Sequence, residues 1–324
     1  MPQVVADIGE VGVIARIREA VSRAWPDSPH VRMGIGDDAA IVDLDRSCVV
    51  TTDSVIEGVH FRQHWVSAHD VGRKIAARNF ADIVAMGARP RALVVALAMP
   101  ADTTVQWCDE FLAGVIDETM RAGAVIVGGD TSSAPALMVS ATALGDAGNP
   151  TVTRAGARAG DVVAVSGTVG VAAAGLALLS VGSTQPSGAI AAYASPRPDY
   201  ALALQAAQFA TSMIDCSDGV VTDLGHIARA SGCDIRIRSA CLPQSEAVTD
   251  AAAALGCPAQ QWLLTGGEDH VFLASFPASD VVPDGFTVIG EVVAGEGSVW
   301  VDDHRWQGSA GYEHFTDAAT APRS

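Results

Sequence analysis

The chain has 324 residues, 49% of them hydrophobic and 18% charged, which excludes a globally disordered protein because so apolar a chain can bury a substantial core. Its formal net charge of −17 repels nucleic acid and anionic lipid, and it also repels polyphosphates unless cations lie between them. The six cysteines form no C-x-x-C pair and no apolar stretch is long enough to cross a bilayer, so we expect a cytoplasmic protein with free thiols, bound neither to nucleic acid nor to membrane.

Apolar periodicity predicts helices and strands in both halves of the chain. Predicted helices cover residues 11–24, 68–86, 104–122, 169–179, 200–209 and 220–230. Predicted strands cover residues 39–42, 48–52, 92–98, 124–127, 137–144, 162–165, 213–216, 271–275 and 286–293. A segment rich in Gly, Pro and Thr over 145–160 indicates a boundary near residue 150. We therefore expect a mixed α/β (α+β) fold with two domains, 1–149 and 150–324.

Acidic residues recur in glycine-containing or polar turns that flank the predicted strands, and one more carboxylate, Asp82, lies inside an apolar helix. The five turns are Gly36-Asp37-Asp38, Thr51-Thr52-Asp53-Ser54, Gly128-Gly129-Asp130-Thr131, Asp215-Cys216-Ser217-Asp218-Gly219 and Gly266-Gly267-Glu268-Asp269. Carboxylates at strand ends are expected to meet at one edge of an α/β sheet, where ligands bind. Oxygen-only ligands suit Mg²⁺, which commonly bridges carboxylates to substrate phosphates. The pattern therefore predicts a polyphosphate site built from Asp and Mg²⁺.

Structural explanations exist for each of these motifs taken singly. Asp beside Gly is ordinary turn or helix-cap chemistry, and Asp82 has Arg78 one helical turn earlier as a partner. No Walker A loop is present, since the only lysine, Lys74, lacks the glycine spacing. The glycine-rich turn 167–175 has the wrong spacing for a dinucleotide site. Asp43-Leu-Asp45 has the form of a phosphatase nucleophile, but a surface hairpin explains it better.

Taken in order, the motifs resemble the thiamine-monophosphate kinase family of the aminoimidazole ribonucleotide synthetase-like ATP-binding superfamily. The resemblance extends over nearly the whole chain. It rests on Gly34-Ile-Gly-Asp-Asp-Ala39, Thr51-Thr-Asp53, Glu57-Gly-Val-His-Phe61, Asn79-Phe-Ala-Asp82, Gly128-Gly-Asp-Thr131, Thr153-Arg-Ala-Gly156, Ile214-Asp-Cys-Ser-Asp-Gly-Val220, Asp223-Leu-Gly-His226, Gly266-Gly-Glu-Asp269 and Gly311-Tyr-Glu-His-Phe315. Single pieces are weak signals, whereas the ordered set is specific.

The resemblance implies transfer of the ATP γ-phosphoryl group to thiamine monophosphate by a homodimer whose N-terminal domains pair strands across the interface. It implies several Mg²⁺ ions, held by Asp38, Thr51, Thr52, Asp53, Asp82, Asp130, Asp215 and Asp218. It further implies ATP contacts from Gly129, Asp130, Arg154 and Ser217, and thiamine phosphate contacts from His60, Glu268 and Tyr312. In catalysis, Asp53 and Asp130 are expected to hold bridging ions and Arg154 to supply a fixed positive charge.

The sequence departs from the family pattern at three places. His270-Val271 stands where Tyr-Glu is common, Cys216 stands where Leu is frequent, and the Arg of a Pro-x-Pro-Arg element is displaced in 196–199. Three alternatives remain open from the sequence. They are another ATP-dependent relative, such as selenophosphate or aminoimidazole ribonucleotide synthetase, a non-catalytic nucleotide or thiamine-phosphate sensor, and a Mg²⁺-dependent phosphatase that uses Asp43 or Asp45.

Overall fold

The computed structural model describes residues 2–26, 28–35, 39–148, 151–185, 187–277 and 281–308. The chain divides into two compact units, the first comprising Met1–Val84 and Ala88–Ala147 and the second Ala85–Gly87 and Gly148–Ser324. Both units combine helices with β-sheet, which confirms the predicted mixed α/β fold. None of the described helices is long and apolar enough to span a membrane.

The first unit is built on a four-stranded sheet with the strand order β3-β6-β4-β5, beside a two-stranded sheet of β1 and β2. The β4–β5 pair is parallel, and the other pairs are antiparallel. The strands are β1 (Val31–Met33), β2 (Ile41–Val42), β3 (Cys48–Ile56), β4 (Arg89–Met99), β5 (Val125–Ser133) and β6 (Met138–Asp146). The helices are α1 (Val5–Ala24), α2 (Ala68–Ala85) and α3 (Val105–Arg121).

Helix α2 forms the centre of the first unit's core. Ile75, Phe80 and Ile83 are fully buried, and the only lysine of the chain, Lys74, is just 1% exposed among them. A fully buried carboxylate of α3, Glu118, accepts a hydrogen bond from Arg73 of α2 at 2.9 Å. A buried charge is tolerated only when it is paired, so this ion pair fixes how α2 and α3 pack together.

Two of the predicted turns are in fact parts of strands. Thr51, Thr52 and Asp53 lie inside β3, and the segment 128–131 lies inside β5. Gly and Asp are depleted in strands, which is why the sequence indicates turns here. The pairing of β3 with β6 and of β5 with β4 overrides this preference, and among the described strands both lie at an edge of the sheet.

The second unit is built on a seven-stranded sheet with the order β13-β12-β9-β11-β7-β10-β8, in which only the β12–β9 pair is parallel among the described strands. Its strands are β7 (Val162–Ser166), β8 (Ser212–Asp215), β9 (Cys233–Ile237), β10 (Phe272–Phe276), β11 (Phe286–Ala294), β12 (Val299–Val301) and β13 (His304–Arg305). Its helices are α4 (Val171–Ser180), α5 (Ser187–Ala194), α6 (Tyr200–Ala206), α7 (Val220–Ser231), α8 (Glu246–Leu255) and α9 (Gln260–Thr265).

Candidate functional site

The first group of predicted metal ligands lies where β3 faces α2. Thr51 Oγ1 donates a hydrogen bond to Asp82 Oδ2 at 2.7 Å. Asp53 is two residues further along the same strand and therefore on the same face, where Arg78 of α2 contacts its Oδ1 at 3.4 Å. The structure thus brings Thr51, Asp53 and Asp82 together as an all-oxygen set beside one arginine.

Thr52 lies on the opposite face of β3, since successive strand residues alternate between faces. Its hydroxyl donates to Ala141 O at 2.9 Å and accepts from Thr142 Oγ1 at 3.2 Å, both on β6. The side chain of Thr52 is therefore separated from Thr51 and Asp53. Asp38, also a predicted metal ligand, lies outside the described residues.

Gly129 and Asp130 lie on β5, at the other edge of the same sheet. Asp53 pairs with Ala141 of β6, Ala141 pairs with Val95 of β4, and Val95 pairs with Gly129 of β5. Three strand spacings separate β3 from β5, or about 14 Å between backbones. The expectation that the first unit's carboxylates meet at one strand-end edge is therefore wrong: Asp53 and Asp130 cannot share one ion within this unit.

A cavity of about 430 Å³ lies beside Gly129 and Asp130 in the first unit. Its walls come from α1, α3, β4 and β5 and are mostly apolar. They include Ile14, Ile17, Val95, Leu97, Cys108, Phe111, Leu112 and Ile126. Arg16 and Asp109, which also line it, are joined by a hydrogen bond of 2.8 Å from Arg16 Nε. The sequence does not indicate this cavity, because the residues that line it have the same apolar pattern as the buried faces of ordinary helices and strands.

In the second unit, the predicted ligands lie on two facing loops, one after β8 and one before β10. Asp215 ends β8 with its side chain only 5% exposed. Glu268 N donates to Ser217 O at 2.8 Å, and a Cβ placed on Gly267 would lie 2.3 Å from that same oxygen. Glycine at 267 therefore allows the two loops to approach closely. The structure brings Asp215, Ser217, Asp218 and Glu268 into this one region.

Two further residues, Asp223 and His226 of α7, join Asp218. One ligand atom from each of the three lies within 4.8 Å of the others. Asp223 Oδ2 accepts the backbone N–H groups of Asp218 and Gly219, both at 3.0 Å. Burial, followed by the negative charges of Asp215 and Asp218, raises the pKa of Asp223 to about 8. The Asp223-Leu-Gly-His226 motif was the sequence signal for this pair, since residues i and i+3 share a helix face.

Arg154 lies at the surface of the second unit near His226. Burial lowers the pKa of His226, and the positive charges of Arg154 and Arg229 lower it further. The backbone carbonyl of Arg154 accepts a hydrogen bond from Ser231 Oγ at 3.0 Å, which ties its loop to the end of α7. With its backbone fixed, the exposed Arg154 side chain can supply positive charge close to Asp218.

The glycine-rich turn before α4 is not an anion site, because its helix N-terminus is already occupied. The carboxylate of Asp269 accepts the backbone N–H groups of Gly170 and Ala172, the latter at 2.8 Å. Free N–H groups at a helix N-terminus are what binds a phosphate, and here the protein's own Asp takes them. This contact agrees with the glycine spacing, which already argued against a dinucleotide site at this turn.

The remaining predicted residues are placed as follows. His60 Nδ1 accepts the backbone N–H of Ile56 at 3.1 Å, so the His60 ring is fixed by its own turn. Asp43 pairs with Arg32 at 2.8 Å and Asp45 with Arg91 at 3.0 Å. Both carboxylates have structural partners, which disfavours a phosphatase nucleophile at either position. Tyr312 lies outside the described residues.

Comparison with known proteins gives consistent matches along the chain. Residues 36–147 match the family described as AIR synthase related protein, N-terminal domain. The thiamine-monophosphate kinase of Mycobacterium tuberculosis is 43% identical over 312 residues, covering 95% of this chain and 92% of that protein. The thiamine-monophosphate kinase of Stenotrophomonas maltophilia has a solved structure with a TM-score of 0.82 and 31% identity, covering 90% of this chain and 97% of that one.

A second solved structure, AaThiL complexed with AMPPCP and TMP, has a TM-score of 0.80 and 32% identity, and the match covers 95% of this chain and 98% of that one. Identity at this level over nearly the full length of both chains extends well beyond a shared fold. It agrees with the ordered motifs that run through both units. The chain belongs to the thiamine-monophosphate kinase family.

Proposed function

We propose that the protein transfers the γ-phosphoryl group of ATP to thiamine monophosphate, giving thiamine diphosphate and ADP. The observation that carries this proposal is the match over 95% of the chain to AaThiL, a relative solved with AMPPCP and TMP. We take that TMP to be thiamine monophosphate. AMPPCP stands in for ATP, with a methylene group replacing the oxygen between its β- and γ-phosphorus atoms. The pair therefore corresponds to the donor and the acceptor of the proposed reaction.

The donor sets described above fit Mg²⁺. Thr51, Asp53 and Asp82 offer only hard oxygen atoms, as do Asp130, Asp215 and Asp218. We propose these six residues, with Asp38 and the backbone of Thr52, as ligands of several Mg²⁺ ions. When bound, Mg²⁺ would neutralise phosphate charge and bridge the carboxylates to ATP. This role resolves the difficulty of a polyanionic substrate on a chain of net charge −17.

We propose that ATP binds in the 430 Å³ cavity between α1, α3, β4 and β5. The apolar walls suit a nucleoside base, and Gly129 and Asp130, which also line the cavity, are proposed to lie near the phosphates, where Mg²⁺ would offset the repulsion between Asp130 and the phosphates. Arg154 and Ser217 are proposed as further ATP contacts on the ground of the family resemblance alone. His60, Glu268 and Tyr312 are proposed to contact thiamine monophosphate.

Catalysis in this proposal consists of orientation and charge compensation. The acceptor is a phosphate monoester, whose second pKa of about 6 leaves the attacking oxygen mostly deprotonated at neutral pH. No general base is needed, so Asp53 and Asp130 act as ligands. The guanidinium of Arg154 stabilises the negative charge of the transferred phosphoryl group, because phosphoryl transfer relies on alignment and electrostatic stabilisation.

The proposed assembly is a homodimer that pairs the first units, as the family resemblance implies. Strand β3 is a sheet edge, and its Val50 side chain is 62% exposed. Met138 on the adjoining β6 is 41% exposed. An edge strand bearing exposed apolar side chains is a surface that proteins usually cover. Sedimentation at micromolar concentration is expected to give twice the 33.2 kDa chain mass, and a stable active monomer would contradict the dimer.

The activity itself is tested by incubating the protein with ATP, thiamine monophosphate and Mg²⁺ and separating the thiamine compounds by chromatography. We expect thiamine diphosphate and ADP in equal amounts, and neither product with EDTA. Each alternative gives a different result. A phosphatase releases thiamine without ATP, a sensor binds both compounds without turnover, and a relative with another acceptor leaves thiamine monophosphate unchanged.

A further inference from the structure

The side chain of His270 is buried against the carboxylate of Asp215. His270 is 1% exposed, and its Nδ1 lies 3.1 Å from Asp215 Oδ2. A carboxylate that binds Mg²⁺ is ionised and only accepts hydrogen bonds, so in a metal-binding site Nδ1 would be the donor in this contact. Two buried polar groups thus satisfy each other across the loops that follow β8 and precede β10.

The backbone of His270 is held in a conformation that non-glycine residues rarely adopt. Its φ is +52°, and φ of Glu268 in the same loop is +70°. A left-handed backbone is unfavourable for any residue with a Cβ, because the Cβ comes too close to the following carbonyl oxygen. Two backbone hydrogen bonds hold it: His270 N donates to Cys216 O at 2.9 Å, and Cys216 N donates to Val271 O at 2.6 Å. Strain retained in this way next to candidate ligands indicates a functional constraint.

The Asp215 carboxylate has a single side-chain hydrogen bond within the described part of the chain. Among the described residues, His270 provides the only side-chain hydrogen bond to the Asp215 carboxylate. The bond occupies Oδ2 and leaves Oδ1 for another partner. His270 Nε2 is buried and has no hydrogen-bond partner within the described part of the chain. Among the described residues, the imidazole therefore makes one side-chain hydrogen bond, and its partner is Asp215.

We infer that His270 is a positioning residue that orients the Asp215 carboxylate to receive Mg²⁺. The inference rests on the proposed function in one respect, that Asp215 is a metal ligand. Carboxylate ligands are commonly held by a hydrogen bond from a neighbouring side chain, and removal of such a partner typically lowers metal affinity about 10–100-fold. The family resemblance assigns no role to residue 270, and this chain has His there.

Three substitutions test the position of the donor. His270→Asn keeps an N–H close to the place of Nδ1, and Asn tolerates positive φ better than most residues. His270→Gln keeps the same amide but moves it further along the side chain. His270→Leu removes the donor. The measurement is the Mg²⁺ concentration that gives half-maximal AMPPCP binding, from calorimetric titrations without thiamine monophosphate, with the melting temperature of each variant recorded.

We expect the half-maximal Mg²⁺ concentration to rise about tenfold or more in His270→Gln and His270→Leu, and to stay within about threefold of wild type in His270→Asn. Asp215→Asn should raise it similarly, and adding His270→Gln to Asp215→Asn should have no further effect. Equal values in the Asn and Gln variants, or unchanged values in both, would overturn the inference.

The Asp215→Asn variant separates failure of the inference from failure of the metal assignment. If Asp215→Asn leaves the Mg²⁺ dependence unchanged, Asp215 is not a metal ligand, and the inference falls together with that part of the proposed function. If Asp215→Asn raises the Mg²⁺ requirement and His270→Gln does not, only the inference fails. Because no acceptor is present, the outcome does not depend on whether thiamine monophosphate is the substrate.

Discussion

Gly129 on β5 lies so close to Val95 on β4 that a Cβ at residue 129 would be 2.0 Å from the Val95 carbonyl oxygen. Its neighbour Gly128 has no atom within 4 Å of the equivalent position. We therefore expect Gly129→Ala to disrupt the β4–β5 pairing and destabilise the first unit by several kcal/mol, on the order of 3. Gly128→Ala, the matched control, should melt within a few degrees of wild type. Similar melting temperatures for the two variants would contradict this packing argument.

Asp130→Asn should abolish most turnover while the protein stays folded. The substitution keeps the shape of an exposed side chain on β5 and removes one charged ligand. We expect kcat to fall at least about 100-fold at millimolar Mg²⁺, as for loss of a strong electrostatic contribution. Circular dichroism and the melting temperature should match wild type. Asp43→Asn, which changes a carboxylate paired with Arg32, serves as the control and should retain turnover. Near-normal turnover of Asp130→Asn would remove Asp130 from the metal set.

Thr51→Val tests the hydroxyl that donates to Asp82. Val keeps the branched shape that suits β3, so the change removes mainly one hydrogen bond, at a cost of about 1 kcal/mol in stability. We expect the Mg²⁺ concentration needed for half-maximal AMPPCP binding to rise several-fold, roughly tenfold at most. Thr51→Ser keeps the donor and should behave like wild type. If the two variants have the same Mg²⁺ requirement, Thr51 does not orient Asp82.

The carboxylate at the start of α4 makes stability depend on pH. Burial raises the pKa of Asp269 to about 6, against the lowering effect of the Ala172 and Gly170 N–H groups and of nearby His270. Between the ordinary pKa of 3.8 and this value the folded state holds more protons than the unfolded state, so the free energy of unfolding falls as pH rises. The Asp269 contribution is complete below pH 4 and is lost by about pH 6, with a size of about 3 kcal/mol.

Urea unfolding of wild type and Asp269→Asn between pH 4 and pH 7, without added metal or nucleotide, measures this contribution. The difference in unfolding free energy, wild type minus Asp269→Asn, should decrease up to about pH 6 and then stay constant. The two proteins share every other titrating group, so these cancel in the difference. A difference that is constant over the whole range would mean that the pKa of Asp269 is not raised.

Tyr312→Ala tests the acceptor side of the proposal. An aromatic face against the cationic thiazolium contributes about 1–2 kcal/mol, so the KM for thiamine monophosphate should rise roughly five- to thirty-fold. The KM for ATP should change little, because Tyr312 is proposed to contact only the acceptor. Tyr312→Phe keeps the aromatic face and is the matched control. If both KM values rise together in Tyr312→Ala, the residue has a structural role.

Elements with a strong and regular pattern were predicted well from the sequence. The helix expected over 68–86 is α2, Ala68–Ala85, because its apolar periodicity and the stop at Gly87 agree. Helix α8 was missed, although Ser245 caps its first turn through Val248 N, since its alanine-rich run gives little contrast between faces. The predicted strands ended too early near Asp53 and Asp130, because cross-strand pairing outweighs the local turn preference of these residues.

The residue types of the candidate site were visible in the sequence, but their grouping was not. Thr51 and Asp82 are 31 residues apart and meet only because α2 packs against β3. Asp53 and Asp130 occur in similar motifs, yet three strand spacings separate them. His270 and Asp215 are 55 residues apart, and their contact depends on a left-handed backbone that no periodicity indicates. Contacts of this kind arise from tertiary structure, which a single sequence does not encode locally.

The burial of Lys74 has a practical consequence for handling the protein. Because this is the chain's only lysine and it is 1% exposed, amine-reactive dyes and cross-linkers will not reach a lysine side chain on the folded protein. A label found on Lys74 would therefore report directly that α2 has come away from the core.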